Sequence, residues 1–562
     1  MKRLFAAVVT VLVVTPLGAT PVAAGRPPEF RFELLAKAQP DECFDGVGQP
    51  YPAGPPCAEG QPKVNQAYVW GITLTGNHLW FGTGANLHCL TSGRTLDAKN
   101  PSLNDDWVCE YGESQIAKRN PNLPPYLGDH RMPRLYQYDL RHRRLTEKTS
   151  AATASPTGLQ LLQGTAGIRA AGSHRGVVFF AGPGINATMN MFAFDADTGA
   201  FLGAKNFPEY GNIRHFLVTG GALYAGVGVG GNGGEGGHVL RWTGGKSDPF
   251  AFVSVADLPA QPADLAVHDG RIFVSTWPGP AASGAAADDA PAPSRLASVW
   301  MSPPLSAGRP GLNPADADGW TQVWSVAEYE PDIVTAHTYA LGGLASYGGY
   351  LYWGTMHVPL KATTTHMTLY PPKDEAGTRA AIENTQRAIS IFRGRDLGGR
   401  REKVDLLYGA AQLPAYDPAA ADGAGAWAAA PTGYTPMYGP SGFGERFLNY
   451  TWKMVVAQGK LFVATMDWSY LAKEMNEGTG GGNAPPPTYG GDLYVFDSPH
   501  RPARAVDKAG LGNYLNYGIR NMVASGSTLY LGMANPMNLR TDPDDDVPEG
   551  GWELLKLTMD CR

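Results

Sequence analysis

Seven short apolar runs along the chain repeat one pattern. They are Leu79-Trp-Phe-Gly-Thr83, Val178-Phe-Phe-Ala-Gly182, Leu223-Tyr-Ala-Gly-Val227, Ile272-Phe-Val-Ser-Thr276, Leu351-Tyr-Trp-Gly-Thr355, Leu461-Phe-Val-Ala-Thr465 and Leu529-Tyr-Leu-Gly-Met533. Each follows an earlier apolar strand and a Gly-containing turn, as in Met454-Val-Val-Ala-Gln-Gly459. A two-strand unit cannot bury its own apolar face, so such units must stack on neighbours. The pattern predicts an all-β fold, a seven-bladed β-propeller, occupying 25–562 as a single domain.

Blade 2 shows the full unit. Its strands are expected over Gly167–Ala171, Val177–Ala181, Met189–Phe194 and Ala200–Phe207, with Asp195-Ala-Asp-Thr-Gly199 as the turn before the last. The third strand recurs as Leu135–Leu140, His238–Trp242, Ala297–Met301, Ala388–Phe392, Asp492–Phe496 and Glu553–Leu557. The last of these leaves blade 7 without a fourth strand. Phe30, Phe32 and Leu34 alternate with Arg31 and Glu33, the period of a half-buried strand. Residues 29–36 are therefore expected to complete blade 7 and close the ring.

Connections between second and third strands are long: 85–133, 277–295, 358–387, 469–490 and 534–551. Segment 411–446 before blade 6 is long too. Because strands alternate in direction, these insertions should crown one mouth of the central channel. Ala281–Pro293 and Pro418–Pro431 read as low-complexity linkers, and Asp374–Arg387 as a short helix.

Composition adds compartment and charge. Met-Lys-Arg precedes an apolar run from Leu4 to Ala19, and Val22-Ala23-Ala24 offers small residues for cleavage, so 1–24 reads as a signal peptide. The expected location is secreted or periplasmic, with no membrane insertion after cleavage. There are 71 Gly and 46 Pro against 17% charged residues, which suits many tight turns. A net charge of −6 gives nucleic-acid binding no electrostatic support. Export puts Cys43, Cys57, Cys89, Cys109 and Cys561 in an oxidising compartment. Cys89–Cys109 would staple one insertion. Either Cys43 pairs with Cys57, or one of them pairs with Cys561 and ties the chain ends together, which the closure of blade 7 favours.

The Asp195–Gly199 turn resembles the Asp-x-x-Thr-Gly units of quinoprotein-like and related bacterial propellers. The tryptophan-docking repeats of quinoprotein dehydrogenases are absent, and no quinone cofactor is expected.

Candidate chemistry follows from position on the crowned face. Asn86, Trp277, Asp467, Trp468 and Asn535 lie just after second strands. Gly167-Ile-Arg169, Asn212-Ile-Arg214 and Gly518-Ile-Arg520 repeat a basic residue at the start of first strands, with Lys453 in the equivalent place of blade 6. Tyr450 and Tyr517 precede the last two. Such a ring either grips an anionic ligand through guanidinium forks or braces backbone carbonyls between blades. His337 and His357 flank blade 5, and His215 and His238 flank blade 3. Either pair would share a proton-transfer or divalent-metal role, or be structural. Asp264 and Asp467 are placed to meet across the channel. No Gly-x-Ser-x-Gly elbow or phosphate-binding loop is present.

Two functions fit these residues. One is binding of an extracellular ligand, such as an anionic polysaccharide, with Asn86, Arg169, Arg214, Trp277, Lys453, Asp467, Trp468 and Asn535 as contacts. The other looks like the polysaccharide lyases built on seven-bladed propellers. That likeness implies β-elimination on uronate-containing glycans, with His337, His357, Tyr450, Tyr517 and Arg520 in the catalytic roles.

Overall fold

The computed structural model describes residues 30–279, 295–306, 311–473, 488–540 and 549–559. The expected signal peptide, Cys561 and all of Ala281–Pro293 lie outside them. The fold is all-β with a few short helices.

The strands group into successive four-stranded antiparallel arrays. Array 1 comprises Gln66–Thr75, His78–Ala85, Leu135–Asp139 and Arg144–Glu147. Array 2 comprises Ala170–His174, Val177–Pro183, Met189–Asp195 and Phe201–Phe207. Array 3 runs Asn212–Thr219, Ala222–Gly228, Gly237–Trp242 and Phe252–Leu258. Array 4 runs Gln261–His268, Arg271–Trp277, Ser298–Pro304 and Thr321–Ser325. Array 5 is Tyr339–Tyr347, Tyr350–His357, Ile391–Arg395 and Lys403–Gly409. Array 6 is Leu448–Ala457, Lys460–Asp467, Leu493–Phe496 and Arg504–Asp507. Array 7 is Gly518–Ser525, Thr528–Ala534, Glu553–Met559 and Phe30–Lys37.

Each second strand is buried on both faces, which is why it reads as a continuous apolar run. Alternate residues serve opposite neighbours. Phe179 packs with Phe216 of array 3, while Phe180 packs with Trp80 of array 1. Leu223 and Tyr224, Phe273 and Val274, Tyr352 and Trp353, and Leu461 and Phe462 divide in the same way. A hydrophobic cluster therefore fills the space between each array and the next, and another joins Leu554 of array 7 to Leu79 and Phe81 of array 1. First strands lie side by side through the series, and that of array 7 lies beside that of array 1. Five of the first turns use two residues with positive φ, such as Arg175-Gly176 (φ 47° and 76°). That geometry matches the twist of the flanking strands.

Three expectations are corrected. Cys43 bonds Cys57, with Cα atoms 5.7 Å apart, rather than tying to the chain end. The local hairpin Glu42–Phe44/Gln61–Lys63 brings the two together. Cys89 bonds Cys109 as expected. Pro418–Pro431 is not simply a linker: Ala426–Pro431 pairs with Gln412–Asp417, and this hairpin is held by Arg387 on the Pro414 carbonyl and Asp332 on the Tyr416 amide. Array 2 begins at Ala170 rather than Gly167. The helix expected over Asp374–Arg387 is present as Glu375–Thr385, with Asp374 capping its N-terminus.

Candidate functional site

The first strands carry the site. Most of them slip register near the start, and the residues at the slips include Trp70, Arg214, Ala263, Gly342, Trp452 and Arg520. A β-bulge re-aims a side chain away from the regular alternation. All six residues, with Arg169 of array 2, line a single cavity of about 970 Å³. The next position along contributes His215, Asp264, Lys453 and Asn521 to the same cavity. Lys453 is thus one residue beyond the arginine position, which Trp452 occupies in array 6. The rim comes from insertions: the helix Leu87–Leu96 supplies His88 and Arg94, and the helix Lys361–Leu369 supplies Lys361.

Among the described residues the walls carry six cationic side chains, Arg94, Arg169, Arg214, Lys361, Lys453 and Arg520, against one carboxylate, Asp264. That carboxylate is already engaged. Lys453 Nζ lies 2.7 Å from Asp264 Oδ1, His215 Nε2 lies 3.5 Å from it, and Leu344 N–H donates to its other oxygen. Burial alone would raise the Asp264 pKa, but Lys453 and His215 hold it below the usual carboxylate value. His215 itself is lowered to about 4, first by burial and then by Lys453.

The three arginines have no carboxylate partner among the described residues. Arg214 donates from Nε to Gln261 Oε1, and its guanidinium lies 3.6 Å from the Trp277 ring centroid. Arg169 donates to Asn232 Oδ1 at 3.5 Å and stands 5.0 Å over Trp70. Arg520 stands 5.7 Å over Trp452. Stacking on aromatic faces fixes a guanidinium in direction without neutralising it. Arg169 Nε, Arg214 Nη2 and the indole N–H groups of Trp277 and Trp468 are buried donors with no acceptor among the described residues. Burial and mutual repulsion lower Arg169 to about 9 and hold Arg214 well below its ordinary value. Arg520 falls to about 10, with burial the main cause. Tyr450 is pushed up to about 12 by burial, against the pull of all three arginines, and Tyr517 rises too. Lys361 is lowered by burial and by Arg214 and Arg94.

The cavity therefore brings together Arg169, Arg214, Trp277, Tyr450, Lys453, Trp468, Tyr517 and Arg520. The bracing alternative for the arginines finds no contact, since none of the three donates to a backbone carbonyl among the described residues. Six candidates lie off the cavity walls. His357 is buried edge-on to Tyr339 at 4.3 Å, bonded to Thr355 Oγ1 at 3.0 Å and lowered to about 3 by burial. His337 is the C-cap residue of the helix Ile333–Ala336, and neither histidine of array 5 is among the cavity-lining residues that include Tyr450 and Arg520. Asn86 ties Asn65, the Asp129 carbonyl and Asn538 together, and Asn535 bonds Asn516 and the Glu549 carbonyl. Asp467 is buried, accepts from Ser469 N–H at 2.6 Å, and does not meet Asp264. His238 bonds the Ala256 carbonyl, apart from His215. No group of three or more metal-ligating His, Cys, Asp or Glu side chains is present among the described residues.

Tyr68, Trp70, Trp452 and Gln261 were not singled out in the sequence. The usable signal was registration: Trp70 and Trp452 occupy the position of Arg169, Arg214 and Arg520.

No family model and no curated protein matches the chain. Among solved structures, an ulvan lyase of a polysaccharide lyase family is 8% identical over 93% of this chain and 95% of its own, with a TM-score of 0.37. Hydrazine synthase of Kuenenia stuttgartiensis is 10% identical over 84% of this chain and 95% of its own, also at 0.37. A luciferin-regenerating enzyme is 10% identical over 68% and 88%, at 0.32. Identities and TM-scores this low assign no activity to this chain.

Proposed function

We propose that the chain is an exported seven-bladed β-propeller spanning 25–562 that binds an anionic extracellular ligand, such as an acidic polysaccharide, at the mouth of its channel. The observation that carries the reading is the cluster of Arg169, Arg214 and Arg520, held on aromatic rings in one cavity without a carboxylate partner among the described residues. Buried cations without counter-charge are costly unless something outside supplies it. Side-by-side first strands and hydrophobic clusters running from array 1 through array 7 and back support the ring. Two disulfides, and the lack of any helix among the described residues long and apolar enough to cross a membrane, fit export.

Affinity for uronate-containing and sulfated polysaccharides, measured beside uncharged dextran, tests this. Binding to the charged polymers should weaken with salt. It should also fall as pH rises past about 9, where Arg169 begins to lose its proton. Equal binding to dextran, or none to any charged polymer, would sink the proposal.

A second reading is β-elimination on such a glycan. It is favoured by Tyr450, Tyr517 and the neutral His215 sharing the cavity with Arg520. An ultraviolet signal for a new conjugated double bond, lost in Tyr450→Phe, would establish it. A silent assay on every polymer that binds would remove it.

A further inference from the structure

We propose that Gln261 sets the charge of this cavity, leaving the arginine cluster matched to a sugar unit that bears two negative charges rather than one. The proposal rests on the anion-binding reading above.

Gln261 is the first residue of the first strand of array 4 and is buried. Its Oε1 accepts from Arg214 Nε and, at 3.4 Å, from Asn212 Nδ2. Its Nε2 donates to the Asn232 carbonyl at 2.7 Å. Asn232 Oδ1 in turn accepts from Arg169 and, at 3.2 Å, from Asn212. Among the described residues, the hydrogen bonds of these two guanidinium groups thus all go to amides, beside the aromatic faces they stack on. An amide oxygen orients a donor as a carboxylate would, but brings no charge.

The rest of the chain holds its buried arginines differently. Arg387 is forked on Glu330, Arg131 on Glu42, and Arg393 is paired with Asp405. A glutamate at 261 would have the same reach and would neutralise Arg214. The surroundings are moulded to the side chain that is there. A Cβ at Gly233 would lie 1.3 Å from Gln261 Nε2, and one at Gly228 would lie 2.3 Å from it. The glycine-rich stretch of array 3 is therefore the seat of this amide.

The consequence is a count of charge. Of the four guanidinium groups lining the cavity, Arg94 stands at the rim with Lys361, and three form the inner cluster, while Asp264 is committed to Lys453 and His215. One negative charge from a ligand leaves this cluster cationic, whereas two offset most of it. A phosphorylated sugar and a sulfated uronate share that chemistry.

Titration calorimetry with glucose, glucuronate, glucuronate 2-sulfate and glucose 6-phosphate reads the proposal directly. Glucose should give no heat, and at least one doubly charged sugar should bind about tenfold or more tighter than glucuronate. Which of the two binds better identifies the source of the second charge. Gln261→Glu should lose that binding by about tenfold or more. It gains a pairing with Arg214 but turns the donor to the Asn232 carbonyl into an acceptor, so its melting temperature is read beside the binding. Gln261→Met breaks the same Asn232 bond without adding charge and should keep the preference for the doubly charged sugar; loss of that preference as complete as in Gln261→Glu makes Gln261 structural and overturns its role. Glucuronate binding as tightly as both doubly charged sugars overturns the charge inference while leaving the anion-binding reading standing. No heat from any charged sugar overturns that reading itself.

Discussion

Arg387 and Arg214 are both buried arginines, and the protein treats them in opposite ways. Arg387 forks onto Glu330 at 2.8 and 3.0 Å and donates to the carbonyls of Asn384 and Pro414. Tyr339 donates to the same carboxylate at 2.7 Å. Burial works against the Arg387 charge, but Glu330 more than offsets it and carries the pKa above the ordinary range. Arg214 has one amide oxygen, one tryptophan face and a terminal nitrogen without an acceptor. Burial, then Arg169 and Arg520, drive its pKa down. The difference separates a charge satisfied within the fold from one held ready for something outside it. Residue type and burial alone do not distinguish the two; the partner list does.

The comparison breaks if the two arginines respond alike to substitution. Arg387→Ala leaves Glu330 buried and unpaired, and should cost about 3–5 kcal/mol in denaturant unfolding. Arg214→Met removes an uncompensated charge and keeps much of the packing against Trp277. It should leave stability unchanged or raise it by roughly 1–2 kcal/mol, while anion affinity falls by about 2 kcal/mol or more. Equal destabilisation by both variants would make Arg214 a structural residue after all.

A third buried charge sharpens the contrast from the acidic side. Asp467 has no cation bonded to it, and burial, with Glu445 adding repulsion, raises its pKa from 3.8 to about 6. Its neighbour Asp492 is raised as well, by burial and then by Asp467. The folded state therefore binds these protons more tightly than the unfolded chain. The stability that the Asp467 proton contributes is complete below about 3.8 and is lost as pH rises through about 6. Asp467→Asn keeps the acceptor for Ser469 N–H and removes the titration. It should stabilise the protein at pH 7 by about 1–3 kcal/mol and flatten the melting temperature between pH 4 and 7. An unchanged pH profile would show that Asp467 stays ionised when folded.

What the sequence disclosed follows from the same physics. Second strands pack on both faces, so their apolar runs stand out, and third strands fall within a few residues of their expected places at Leu135, Met189, His238 and Glu553. Phe30–Lys37 pairs with Glu553–Met559 as expected, but the half-buried alternation read from Phe30, Phe32 and Leu34 does not hold, because only Phe30 is buried and Phe32 and Leu34 are exposed. First strands were harder, because a bulge breaks the period of two at the very residues that line the cavity. Matching by charge put Lys453 level with the arginines, whereas matching by register puts Trp452 there. The expected placing of His337 and His357 beside Tyr450 and Arg520 is a different case, because neither histidine lines the cavity. Strand direction brings two residues to one face, but it does not say which side of the sheet a side chain takes, and His357 turns towards Tyr339. Gln261 was silent because an amide has no reading until its partners are known.

The ladder between Phe30–Lys37 and Glu553–Met559 makes the seventh array a clasp. Phe30 stands opposite Met559 and Lys37 opposite Glu553. A ribosome delivers the two strands at opposite ends of synthesis, so the earliest described strand must wait for the last before it can dock, with the other six arrays already made. Under tension the order reverses. Force applied at Phe30 and Met559 loads their rung first and opens the ladder one rung at a time, so this clasp yields by unzipping rather than by shear.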